Sequence, residues 1–167
     1  MGNEQAMTPF LCSKRRIVCG RSVSYSSVKE TTENAPWPQQ MSQKPSLYER
    51  IGKQQGIATL LRHFYADARQ HAVIGPVFNS RIKDWPAHLL KIGQFWARVT
   101  GGPSAYEGQM PLRHLDLGID DPHFATWFQL WDANCQCYLR ASEAKEMSRL
   151  AHEIGKRLKT IVKGSKK

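Results

Sequence analysis

No stretch of this chain is apolar for the roughly 20 residues that a bilayer-spanning helix needs, although apolar residues fill an ordinary 41% of its 167 positions. A membrane span is therefore not expected, and the length suits one domain with a single sizeable core. Cysteine is scarce. Cys12, Cys19, Cys135 and Cys137 form no C-x-x-C pair. Cys135 and Cys137 lie two apart in a predicted helix and point to different sides, which favours reduced thiols in a cytosol-like compartment. Acids are few as well, 14 against 24 Lys and Arg, for a net charge of +10. That excess invites nucleic acid, but its placement argues against it. Residues 1–45 carry six Lys/Arg against three acids, residues 46–155 twelve against eleven, and residues 156–167 six against none. The middle is nearly neutral and the basic character sits at the ends. With no helix-turn-helix pattern, a basic bundle that grips nucleic acid specifically is not expected.

Strand signals are missing too, because period-two alternation never persists. No internal repeat is visible. Residues 1–45 read as a flexible or dispensable tail, rich in Ser, Gln, Thr and Pro. The segment "TPFLCSKRRIVCGRSVSYSSVK" is basic and free of acids, a faint likeness to an organellar transit peptide. It lacks the apolar region of a secretory signal, and a cytoplasmic location is the first expectation.

What remains is helical. Ser46 and Glu49 in "SLYER" predict a capping box and a short helix that stops at Gly52. Ile57, Leu60, Leu61, Phe64, Tyr65 and Ala68 mark one face of a second helix. "HAVIGPVFNSRIKDWP" reads as a break at Gly75 and Pro76. A third helix follows Asp84, with the stripe Trp85, His88, Ile92, Phe95, Trp96 and Val99. After the Gly/Pro loop "TGGPSAYEGQMP" comes a short segment with His114. Asp121 and Pro122 open a fourth helix, with Phe124, Trp127, Phe128, Trp131, Cys135 and Tyr138 inward. A fifth starts at Ser142 and carries Met147, Leu150, Ala151, Ile154, Leu158 and Ile161. The class is all-α.

Three of these stripes carry a polar group on an apolar body: Tyr65, His88 and Trp127. Buried donors need acceptors, and three that converge would surround a small polar guest. Taken singly, each has a plainer reading as a core residue with a satisfied hydrogen bond, and Trp131 keeps that reading. His114 stands apart, after a loop that can position it independently. A porphyrin-bound iron makes sense of the set. Haem needs a broad apolar slot and a neutral imidazole as axial ligand. A bound dioxygen carries partial negative charge and accepts from donors on the other side.

The chain from about Ser46 to Val162 resembles a truncated haemoglobin. The matching pieces are "SLYERIG", "LLRHFYADAR", "IGPVFNSRI", W-x-x-H-x-x-K-I-G-x-F-W at Trp85–Trp96, "GGPSAYEG", "HLDL" and "HFATWFQLW". Most of the later ones are similar to the third subgroup of that family, while "SLYERIG" is more typical of the others. The resemblance implies a shortened globin fold, a two-over-two helical sandwich over residues 46–163, followed by a basic end at 164–167. It implies non-covalent haem b on a five-coordinate iron with His114 as proximal ligand. Tyr65, His88 and Trp127 match the distal donors. Phe78 matches the residue packed on the haem face, and Ile92, Phe95 and Trp96 match the pocket wall. By charge and position, Lys91 and Arg113 are expected near the haem propionates. His63, His71, His123 and His152 match nothing and are expected at the surface or in caps. Dioxygen, nitric oxide, carbon monoxide or peroxide are the expected small ligands. Nitric oxide dioxygenation or a peroxidase-like reaction with an external reductase is one expectation. A haem-based gas sensor or haem-handling module without turnover is the other.

Overall fold

Ser46 opens the folded part with a reciprocal cap. In the computed structural model, which describes residues 44–164, its hydroxyl accepts the Glu49 N–H while the Glu49 carboxylate accepts the Ser46 N–H. The predicted tail, residues 1–45, falls almost wholly outside the described residues, as do the last three positions. Helix α1 (Leu47–Arg50) is followed by α2 (Lys53–Gln70), whose buried face is the predicted one.

A further helix, α3 (Gly75–Arg81), occupies the stretch read from sequence as a break. Pro76 lies in its first turn, where a missing N–H costs no intrahelical bond, so the proline starts this helix instead of ending one. Gly75 is needed for a close approach: a Cβ there would meet the Arg69 carbonyl oxygen at 2.6 Å. Three residues then lead to α4 (Trp85–Val99), capped by Asp84, whose carboxylate accepts the Ala87 N–H at 2.9 Å. A loop and a 3-10 turn (Pro111–His114) precede α5 (Asp121–Tyr138) and α6 (Ala141–Gly164). No strand occurs among the described residues, and none of their helices is long and apolar enough to cross a membrane.

Helices α2 and α4 pack together, α5 packs on α6, and α2 joins the two pairs through α5. This is the expected two-over-two sandwich. Its centre is aromatic. Trp131 is fully buried and stacks on Trp96 (4.5 Å between ring centroids, 17° between planes) and on Trp127 (5.1 Å, 11°). Phe64 meets Trp127 and Trp131 edge-on. At one end Arg50 ties α1 to α6 through Glu143 at 2.9 Å and through Glu146.

Two stripe positions differ from expectation. Tyr138, in the last turn of α5, is exposed and stacks on His63 at 4.0 Å. Ile161 is exposed because Val162, about 100° further round the helix, takes the inward place. Cys135 is a free buried thiol, pushed up to about 12 by burial.

Gly155 of α6 supports the ring of Phe128, and a Cβ there would come within 2.4 Å of that ring. His152 stacks on the same ring at 4.2 Å, so the phenyl has little room to retreat. Gly155→Ala is expected to lower stability by about 1–3 kcal/mol through overpacking, more than the ~1 kcal/mol that alanine gains in helix propensity. Urea unfolding checks the sign; a stabilised variant would show that Phe128 yields freely.

Candidate functional site

Between the layers lies a cavity of about 270 Å³ with an apolar wall. Tyr65 reaches it from α2, Phe78 from α3, and His88, Ile92, Phe95 and Trp96 from α4. Arg113 and His114 border it from the 3-10 turn and Trp127 from α5. A larger hollow of about 390 Å³ beside Asp121, Lys159 and Lys163 is a weaker candidate. Its lysines are already engaged, both on the Asp121 carboxylate at 3.1 and 3.0 Å.

The state of His114 follows from one contact. Its Nδ1 lies 2.7 Å from the Met110 carbonyl oxygen. A carbonyl only accepts, so Nδ1 carries the proton and donates it. Burial lowers the pKa of the ring, against a smaller upward pull from the same carbonyl. The imidazole is therefore neutral near pH 7, and its Nε2 keeps a free lone pair. That is the state in which histidine binds a metal, with the second nitrogen held by a backbone acceptor. The 3-10 turn makes this possible by bringing the ring back over a carbonyl four residues earlier.

Tyr65 and His88, on the α2 and α4 side of the wall, are also uncharged. The Tyr65 hydroxyl and His88 Nε2 stand 3.3 Å apart, long for such a bond. Burial raises the Tyr65 pKa, so the phenol keeps its proton. Burial lowers that of His88, helped by the charge of Lys91. Phe78 and Trp85 meet the Tyr65 ring edge-on at 5.5 and 5.6 Å. Trp127, half-buried, brings an indole to the same cavity.

The structure thus gathers Tyr65, Phe78, His88, Ile92, Phe95, Trp96, Arg113, His114 and Trp127 around one space. Lys91 is exposed and stands off the wall. Sequence reasoning missed Arg81, which lines the cavity and donates to the Asp116 carbonyl. It lies on the helix that was read as a break, so no periodic stripe pointed to it. His123, expected in a cap, does cap α5 with Asp120 and also reaches the wall. His71 accepts the Val73 N–H just after α2, while His152 pairs with Asp132 at 2.9 Å.

A shortened helical sandwich with a neutral imidazole and a tyrosine–histidine pair on one apolar cavity defines a truncated globin. A model of the bacterial-like globin family matches residues 46–158, and the chain belongs to that family. It is similar to the group 3 truncated hemoglobin ctb of Campylobacter jejuni, with 38% identity over 82 residues. That match covers 47% of this chain and 62% of the relative, so the chain spans less than two thirds of that protein's length. The crystal structure of the group III truncated hemoglobin from Campylobacter jejuni superposes with a TM-score of 0.62 at 29% identity, covering 66% of this chain and 91% of that one. The 2/2 hemoglobin of Synechococcus sp. PCC 7002, crystallised with covalently attached heme, superposes with a TM-score of 0.63 at 19% identity, covering 71% and 98%. At that identity the likeness is one of fold. Membership of the family implies haem and small gaseous ligands.

His88 and His114 are held neutral by burial, so the unfolded chain binds more protons at these sites just below its own value of about 6.5. Stability then falls as pH drops through that value toward the lowered ones. In protein without added haem, the urea midpoint is expected to be lower at pH 5 than at pH 7.5, and the drop should shrink in a His88→Leu, His114→Leu double variant. An undiminished drop in that variant would assign the effect to other groups.

Proposed function

We propose that the chain holds haem b non-covalently in this cavity, with His114 as the proximal ligand of a five-coordinate iron. Small ligands such as dioxygen, nitric oxide, carbon monoxide or peroxide then meet Tyr65, His88 and Trp127. The observation that carries the reading is the bond from His114 Nδ1 to the Met110 carbonyl, which reserves Nε2 for a metal. Bound haem supplies an iron that takes up diatomic molecules and exchanges electrons with them.

The residues do the rest. Phe78, Ile92, Phe95 and Trp96 provide a flat apolar slot and keep water out. Arg113 and Arg81, both on the wall, neutralise the carboxylates of the porphyrin, with Lys91 further out. Tyr65, protonated through its burial, donates to a polarised guest. The Trp127 indole is a second donor, and His88 supplies a third when its Nε2 carries the proton. In an apolar cavity such donors act at low dielectric and hold a polarised guest longer than in water. Slow release suits redox chemistry better than delivery. The proposed reaction is nitric oxide dioxygenation or peroxide reduction, with electrons from an external reductase.

His114→Ala is expected to leave the purified protein without a stable Soret band after haem addition; an unchanged band would overturn the assignment of the ligand. Tyr65→Phe removes one net hydrogen bond of about 0.5–1.5 kcal/mol, so dioxygen should dissociate from the ferrous protein roughly two- to tenfold faster. Stopped-flow displacement by carbon monoxide measures this, and an unaltered rate would take Tyr65 out of the site.

A further inference from the structure

Arg69 lies near the C-terminal end of α2, and its guanidinium carbon sits 4.4 Å above the ring of Trp85. No ion pair competes for it among the described residues. Trp85 turns toward the distal pair. Its ring centroid is 5.6 Å from that of Tyr65, at 61° between planes, and 5.8 Å from that of His88, at 79°. Trp85 itself stands off the cavity wall, whereas Tyr65 and His88 are on it. Arg69 is exposed, Trp85 half-buried and Tyr65 buried. The order from solvent inward is therefore guanidinium, indole, then the His88–Tyr65 pair.

The 3.3 Å contact between His88 and Tyr65 is too long to fix the imidazole by itself. Packing holds that ring, edge-on against Tyr65 at 5.3 Å and against Trp85. Trp85 lies between that ring and the guanidinium and is in contact with both. We propose that Arg69 and Trp85 form a latch behind the distal pair, which sets how often His88 moves aside and so how fast a small ligand reaches the cavity. The proposal rests on the haem reading of that cavity. Both are positioning residues, since neither reaches the cavity.

The helix ends that carry them are anchored separately. The Arg69 carbonyl accepts from the Asn79 side-chain amide at 3.0 Å, and Asp84 caps α4 one residue before Trp85. Exchanging the Arg69 side chain leaves both anchors in place. A cation over an indole at a partly exposed site corresponds to a factor of roughly two to five in an opening equilibrium.

The test compares wild type, R69M and R69K, each loaded with haem and reduced. Carbon monoxide association is followed by flash photolysis. R69M, which keeps the aliphatic stem and loses the cation, is expected to bind two- to fivefold faster. R69K, which keeps a cation over the ring, should stay nearer the wild-type rate. Before haem addition, the His88 ring resonances in 15N-labelled protein give an independent readout, expected to move or split in R69M. An R69M association rate equal to that of wild type overturns the latch. Failure of the wild-type protein to take up haem overturns the haem reading instead. The His88 resonances then decide alone whether Arg69 governs that ring, and unmoved resonances refute the latch.

Discussion

Trp131 is the side chain around which both layers are set. Its ring is fully buried, with Trp96 of α4 and Trp127 of α5 on its faces and Phe64 of α2 against its edge. The indole Nε1–H finds no acceptor among the described residues, a penalty of about 1–3 kcal/mol. Burying some 150–250 Å² of indole contributes about 4–6 kcal/mol at ~25 cal/mol/Å², so burial outweighs the unmet donor. Trp96 and Trp127 reach the cavity while Trp131 does not. The stack thus serves as a spacer: it fixes the thickness of the sandwich on one side and leaves the slot open on the other.

The electrostatic character of the cavity depends on the same packing. Tyr65 stays protonated and His88 and His114 are pushed toward the neutral state, each chiefly by burial. Charge is kept to Arg81 and Arg113, both exposed residues that only border the space. A neutral interior bordered by cations suits a flat apolar guest with carboxylates at one edge. The net charge of +10, so prominent in composition, plays no part in this, because the folded middle is nearly balanced.

The long helices were legible because their apolar residues repeat with the helical period over four or more turns. α3 was not, because seven residues give too short a window for periodicity, and Gly75–Pro76 is the same dipeptide whether it breaks a helix or begins one. Arg81 went unseen with it. Lys91 stands off the wall. It is a neighbour of Ile92 in sequence, but one step of a helix turns a side chain by about 100°, from the wall toward solvent. His114 stood apart by its place after the Gly/Pro loop, and the family pattern around it pointed to the ligand role. Its tautomer could not be read at all, since that depends on a main-chain carbonyl that the 3-10 turn brings within 2.7 Å.

That acceptor has a consequence of its own. In a metal site oriented by a carboxylate, a point substitution can strengthen, weaken or delete the partner of the imidazole. Here the partner is the peptide carbonyl of Met110, which every amino acid possesses. Replacing the methionine side chain leaves the oxygen in place. The hydrogen bond that fixes the tautomer of His114 is therefore a property of the path of the main chain. Natural variation can remove that bond only by bending the turn, so drift in the neighbouring side chains leaves the tautomer largely untouched.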